Sequence, residues 1–292
     1  MTGLWTTITA TADVLRRAHV GFVAAAFAVD TLSLVLMAFR WQLLLRGVGS
    51  GASLWQTLLA YSGGVFVSNV TPARTLGGDA TRTALIPRPG GTPAIRAIAA
   101  SVVFDRATDI PGLLLLGLLA LPTLKPKSPH WLWLAPLAVA AALAARPLYR
   151  RVMARISRWH QAAVGEIEKA VPGAIACSLI IWLLDITRLM LIGEAFDVRF
   201  VPSQAAAVSL LRLGSGAVPV PAGIGVVDGA LVAGFIWLGL PAATAAALAI
   251  MERAIVFGWA TALGAVALVL LGGWRTLKSA RARATEAADP NA

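Results

Sequence analysis

Chemistry in this 292-residue chain can come from the acids and arginines that fall within its apolar stretches. Asp30, Asp79, Asp105, Asp109, Asp185, Glu194, Asp228 and Glu252 all lie in or beside segments apolar enough to enter a bilayer. An acid at the centre of a membrane helix costs roughly 2.5 to 3.5 kcal/mol on translocon scales. That many uncompensated costs would be prohibitive, so these side chains must be paired, face water or be protonated. Arg106, Arg188, Arg212 and Arg253 are available at the same depth. Asp185 and Arg188 are spaced i, i+3 and can meet on one helix face. The neighbours Asp105 and Arg106, like Glu252 and Arg253, point about 100° apart on a helix, so each should bond across to another helix or to a loop. Asp30, Asp105, Asp185, Arg188 and Glu252 are therefore expected to form an intramembrane polar network. As pure structure, this network fixes the bundle. As a functional device, it lets Arg106 and Arg253 hold an anionic group in a central cleft while the acids keep their side chains extended.

Two glycine-rich segments carry the second signal. In TPARTLGGDATR, Gly77 and Gly78 would permit close backbone approach, and Asp79 is placed as an N-cap for a following half-helix. Arg74 and Arg82 flank it with positive charge, and exposed N–H groups at a helix start beside arginines make a phosphate site. In PVPAGIGVVDG, Gly223 and Gly225 precede Asp228 without a local arginine, so an anion there would rely on helix dipoles or on Arg212 and Arg253. These residues, from Arg74 to Arg253, are the candidate lipid-binding set.

Catalytic machinery is not evident. His19, His130 and His160 are dispersed, and neither a GxxxxGK[ST] loop nor an HExxH motif occurs. Asp105 and Asp109 in DRATD could imitate a magnesium-binding acid pair of a lipid transferase, but the second half has no counterpart to Asp109. The single cysteine, Cys177, supports neither a disulfide framework nor a thiolate metal site. No catalytic residue, metal or cofactor is expected.

The elements that must position these side chains follow from composition. Hydrophobic residues make up 58% of the chain and charged residues 13%, about half the charge of an average soluble domain (roughly 25%). With a mean hydropathy of +0.76, the chain is expected to be an all-α polytopic membrane protein. A helix needs about 20 apolar residues to cross the hydrocarbon, which selects 18–38, 95–121, a weaker 131–145, 171–196 and 242–273. Residues 54–92 are interrupted by Gly63, Gly64, Pro72, Gly77, Gly78 and Pro87, and 203–240 by Gly214, Gly216, Pro219, Pro221, Gly223 and Gly225. Each reads as two half-helices, a broken, re-entrant pair. The polar stretch from Thr6 to Thr11, ahead of Arg16 and Arg17, excludes a cleavable signal.

The net charge of +11 reads as an orientation signal, not as an affinity for nucleic acid. RPLYRRVMARISR and its continuation, 146–169, are expected to form an amphipathic helix on the cytoplasmic face of the cell membrane, on the same side as the basic tail 274–292. Sixteen of the 25 cations then lie inside and five outside, with the N-terminus outside.

An internal repeat organises the chain as one transmembrane domain, 1–292. VDTLSLVLM aligns with LDITRLMLI, Gln56 with Gln204, Asp79 with Asp228, and FDRA with MERA. Repeat 1 covers about 18–121 and repeat 2 about 171–273, with the linking span and basic helix at about 131–169. The topology makes the two copies inverted, an architecture of many transporters, in which broken helices mark the substrate site.

RWQLLLRGVG at 40–49, FVSNVTPARTLGGDATRTAL at 66–85, VVFDRATDIPGLLLL at 102–116 and VPVPAGIGVVDGALVAGFIWLGLPAATAAALAIMERA at 218–254 resemble, in order and spacing, the lysylphosphatidylglycerol synthase transmembrane region, a flippase-like family. The resemblance covers nearly the whole chain. It implies an inner-membrane domain that moves a lipid, such as an aminoacylated phosphatidylglycerol, between leaflets. The soluble aminoacyl transferase that some members carry is missing, and synthase activity with it. Members commonly have a further N-terminal span, for which this chain begins too late, and a glutamate where Asp228 stands. The function expected is therefore a translocator of an anionic or aminoacylated phospholipid, or of another lipid-linked substrate. The alternatives are a structural or regulatory membrane subunit and, behind it, an intramembrane transferase. Membrane phospholipids are the expected partners, with a second copy of the chain or a separate lipid-modifying enzyme left open.

Overall fold

A computed structural model describes residues 2–71, 74–86, 92–124, 161–216, 220 and 223–272, and their regular structure is helical. The elements are α1 (Thr2–Arg16), α2 (Val20–Gly47), α3 (Leu54–Val70), α4 (Arg74–Leu85), α5 (Thr92–Ala107), α6 (Ile110–Leu124), α7 (Gln161–Glu194), α8 (Pro202–Gly216), α9 (Val226–Trp237) and α10 (Ala242–Arg253). After α10 the chain continues through a π-helical segment, Ala254–Trp259, and stays helical to Gly272. Four stretches are long and apolar enough to span a bilayer: Val20–Gly47, Ala97–Leu124, Ile167–Glu194 and Ala242–Gly272. The protein is an all-α, multi-pass membrane protein. The expected span at 131–145, the basic helix over 146–160 and the tail 274–292 lie outside the described residues, as do Pro72, Pro87, Pro219 and Pro221.

Several boundaries differ from expectation. Helix α2 runs nine residues beyond 38, so Arg40 lies within the span and not in a loop. Residues 161–169 are the first turns of α7 instead of a separate surface helix, with Ile167 buried against Leu44 and Phe104. The polar start of the chain forms α1, which packs on α10. His19 marks the corner into α2, its N–H donating to the Ala195 carbonyl at 2.9 Å.

Five of the glycines expected to break helices do not. Gly63 and Gly64 lie inside α3, Gly77 and Gly78 inside α4, and Gly214 inside α8. Helices α3 and α4 form an antiparallel hairpin whose crossing uses the missing side chains. A Cβ on Gly78 would overlap Ser68 Oγ and come within 2.6 Å of the Gly64 carbonyl. Small residues that let backbones approach are the usual means of packing helices in lipid. In the second region the described residues Val220 and 223–225 are not α-helical. There Gly223 and Gly225 take positive φ of 66° and 82°, a conformation that costs other residues roughly 1–2 kcal/mol.

The bundle centres on α2 and α7, which share the most extensive helix contact among the described elements. One apolar cluster, including Leu189, Ile192, Phe200, Leu231 and Phe235, fills the second half. A second, including Trp41, Tyr61, Ile98 and Val102, fills the first. Large apolar side chains such as Leu118, Leu183 and Val269 face outward, as lipid-facing positions do.

Candidate functional site

The spans bring the buried charges into two clusters, and α2 and α7 contribute to both. In the first, the Arg40 guanidinium donates to Asp105 at 2.8 Å, to both carboxylate oxygens of Asp109 and to Ser178 Oγ at 2.7 Å. Arg82 meets the second oxygen of Asp105 at 2.8 Å and Asp79 at 3.0 Å, and stacks over the Trp41 and Tyr61 rings at 4.9 and 5.1 Å. Arg106 closes the set on Asp79 at 2.8 Å. Asp105 has no solvent exposure at all.

In the second cluster, Arg188 donates to Asp185 at 2.7 Å, Glu252 at 2.9 Å and Asp30 at 3.2 Å. Arg212 adds bonds to Asp185 at 2.7 Å and a 3.3 Å approach to Glu252, while Ser209 donates to Asp185 at 2.6 Å. Beside it, Arg253 pairs with Asp228 at 2.8 Å and lies 4.5 Å from the Phe257 ring. The i, i+3 pair Asp185 and Arg188 thus meets on one face. The adjacent pairs separate as the 100° rule requires: Asp105 and Glu252 turn to buried arginines, Arg106 and Arg253 to the acids of the preceding hairpins.

Both halves interrupt the α-helix just after these adjacent pairs. The first span breaks at Thr108–Asp109, where Pro111 has no N–H for the Ala107 carbonyl. The second widens into the π segment Ala254–Trp259, a deviation frequent at functional sites. The halves also begin alike. Gln56 accepts the Ser53 N–H at 3.0 Å to cap α3, and Gln204 accepts the Val201 N–H at 3.1 Å to cap α8.

Two cavities with shared lining residues lie between the clusters. One of about 300 Å³ is bordered by Asp30, Arg40, Arg106, Asp109, Arg188 and Arg212. The other, about 460 Å³, is bordered by Arg106, Arg212, Glu252, Arg253, Tyr61 and Asn69. Arg106 and Arg212 line both. Among the clustered arginines Arg106 is the most open, with 47% of its side chain exposed, against 18% for Arg253 and 3% for Arg82.

Several expected site residues have other roles. Gly77 and Gly78 are packing positions inside α4, not a ligand loop, because the helix begins at Arg74. Asp79, in its second turn, bonds to arginines and caps nothing. Asp228 does cap: it accepts the Gly225 N–H at 2.8 Å at the start of α9. Arg82 is enclosed by its partners. Arg74 opens α4, but its side chain lies outside the described residues. Arg40 was missed because its acids are 65 and 69 positions away; the RW pair closing an apolar run was the available signal. The carboxylates of Asp105 and Asp109 are both engaged by Arg40, which leaves the imagined magnesium pair occupied by a guanidinium.

The family profile of the lysylphosphatidylglycerol synthase TM region matches residues 2–280. The chain belongs to that family. Among curated relatives, a UPF0104 membrane protein of Methanothermobacter thermautotrophicus is 25% identical over 89% of this chain and 88% of its own length. Another from Methanocaldococcus jannaschii is 23% identical over 86% and 84%, and one from Pyrococcus horikoshii is 26% identical over 36% and 32%. No solved structure matches the chain. The clustered arginines and acids fall in the segments that carried the resemblance: Arg40 of RW, Asp79 and Arg82 of GGDATR, Asp105 and Asp109 of DRATD, and Glu252 and Arg253 of MERA.

Proposed function

We propose that this protein is a lipid translocator in which an anionic headgroup, of a phospholipid or another lipid-linked substrate, crosses through the cavity between the two charge clusters. The observation that carries the reading is the wall shared by the two cavities, since Arg106 and Arg212 line both. Guanidinium forks suit phosphate oxygens. A headgroup entering there would exchange Asp79 for phosphate at Arg106 and Asp228 for phosphate at Arg253, so the acids hold both arginines extended when no substrate is bound. Asp30 and Arg40 are ten residues apart on α2, about 15 Å at 1.5 Å per residue. Passage from one cluster to the other therefore spans about half of a roughly 30 Å hydrocarbon core. The acyl chains stay among the outward-facing leucines and valines.

This reading takes the two halves as inverted copies and α3–α4 and α8–α9 as re-entrant pairs, with residues 146–169 and the C-terminus on the cytoplasmic side of the cell membrane. It assigns the protein no covalent chemistry on the lipid and membrane phospholipids as its partners. The test is reconstitution in liposomes with a leaflet-resolved assay for fluorescent phosphatidylglycerol and its aminoacylated form. Faster transbilayer movement than in empty vesicles, lost in Arg106→Gln and Arg253→Gln with folding retained, is the expected result. No acceleration for any lipid tried would overturn it. The pairing of all six clustered arginines favours one alternative, a structural or regulatory subunit. On that reading Asp79→Asn and Asp228→Asn would lower stability and no lipid would move.

A further inference from the structure

The two clusters differ in charge balance. In the first, Arg40, Arg82 and Arg106 face Asp79, Asp105 and Asp109, three against three. The pair Arg253 and Asp228 balances itself. Among the described residues, the second cluster sets Arg188 and Arg212 against Asp30, Asp185 and Glu252, leaving one carboxylate surplus. A surplus buried charge is among the most costly features a membrane bundle can carry, and intramembrane acids of this kind mark proton relays.

The same cluster leaves buried polar atoms unpartnered, the Nε–H groups of Arg188 and Arg212 among them. Glu252 is 1% exposed, borders the larger cavity, and its Oε2 has no hydrogen-bond partner. Among the described residues no group of acidic, histidine or cysteine side chains is arranged to hold a metal ion. A proton would supply the missing positive charge. The three acids are not equivalent hosts for it. Asp185 accepts from Arg188, Arg212 and Ser209, all within 2.7 Å. Glu252 receives Arg188 and Arg212 on Oε1 and borders the larger cavity, not the smaller. Asp30 accepts one hydrogen bond among the described residues, the 3.2 Å bond from Arg188, and borders the smaller cavity.

The groups facing Asp30 come from every neighbouring helix. Asp185 and Arg188 approach it from α7, Arg212 from α8 and Glu252 from α10, while Tyr61 of α3, Arg106 of α5, Asp109 and Arg40 line the same cavity. Arg40, Arg106 and Asp109 pair within the balanced first cluster.

We infer that Asp30 carries an exchangeable proton at neutral pH and that its release into the cavity couples lipid movement to a proton gradient. The step makes and breaks one O–H bond: a proton from cavity water joins the Asp30 carboxylate and later returns to water. The coupling rests on the translocator reading, whereas the proton site does not.

Infrared spectroscopy of the purified full-length protein in nanodiscs tests the site from about pH 8 down to about pH 5, above the range in which a solvated Asp (about 3.9) takes up protons. The expected result is a protonated-carboxyl band at neutral pH that shifts on ¹³C-carboxyl labelling of aspartate, disappears in Asp30→Asn and is the same in sodium and potassium. Absence of the band, its persistence in Asp30→Asn, insensitivity to aspartate labelling or loss in sodium would each overturn the assignment. Asp30→Asn keeps an acceptor for Arg188 and mimics the neutral, protonated acid, so it should unfold no more readily than the parent. In the liposome assay an imposed pH gradient should accelerate the parent and leave Asp30→Asn unaffected. Transport that responds equally in both refutes the coupling while sparing the translocator. A band that behaves as expected in a protein moving no lipid refutes the translocator while sparing the proton site.

Discussion

Replacing Arg40 by methionine tests whether the first cluster holds the bundle together through charge balance. Arg40 is 1% exposed and joins α2 to Asp105, to Asp109 at the break after α5, and to Ser178 of α7. In Arg40→Met the aliphatic volume is largely kept, Asp105 retains Arg82 at 2.8 Å, and Asp109 is left with Ser178 Oγ at 3.5 Å. Removing one partner of a buried pair typically costs about 3–5 kcal/mol. At about 1.4 kcal/mol per tenfold, that is a hundred- to several-thousand-fold in the folding equilibrium. Most of that cost is the stranded carboxylate and not the lost attraction. The double variant Arg40→Met/Asp109→Asn returns the cluster to balance, two arginines against two acids, and should therefore recover about 1–3 kcal/mol of it, the usual coupling between residues in one network. The assay is reversible unfolding in mixed detergent and dodecyl sulfate micelles followed by tryptophan fluorescence, with both single variants and the double completing a cycle. A single-variant cost under about 1 kcal/mol, or a double variant as unstable as the sum of the singles, would refute the reasoning.

Further outcomes follow from packing and backbone geometry. Gly78→Ala places a Cβ against Ser68 Oγ and the Gly64 carbonyl; overpacking of this kind costs about 1–3 kcal/mol and should appear as a lowered melting temperature, whereas Gly21→Ala, with open space around it, should change little. Gly225→Ala keeps its space but must adopt φ near 82°. A loss of about 1–2 kcal/mol, with slower protease resistance recovery confined to the start of α9, is expected, and an unchanged melting temperature would contradict it. At the same helix, Asp228→Asn keeps an acceptor for the Gly225 N–H while Asp228→Ala removes it, so alanine should be the more destabilising by about 1 kcal/mol in the same unfolding assay. Added potassium chloride should leave the melting temperature nearly constant, because the clusters are buried and exposed pairs such as Asp13–Arg16 contribute little.

Membrane insertion was legible from composition because transfer free energies add along a segment. Four of the expected spans match helices, and the apolar runs alone suffice to place them. The i, i+3 pairing of Asp185 with Arg188 and the separation of the adjacent acid and arginine pairs follow from helix geometry, which is local. Family membership was readable because ordered motifs over nearly the whole chain carry it. Charged ends of spans were misread for a physical reason: a length rule stops at the first arginine, whereas Arg40 stays in the bilayer when Asp105 and Asp109 neutralise it. The glycines were misread for another. Gly77 and Gly78 look like a loop until the hairpin brings α3 against them, since a glycine that breaks a helix and one that packs it have the same sequence. Which acid meets which arginine, and hence that one cluster is balanced while the other holds a surplus carboxylate, depends on contacts between positions as far apart as Asp30 and Arg188. Composition counts those charges; only the packing of α2 against α7, α8 and α10 decides which of them must share.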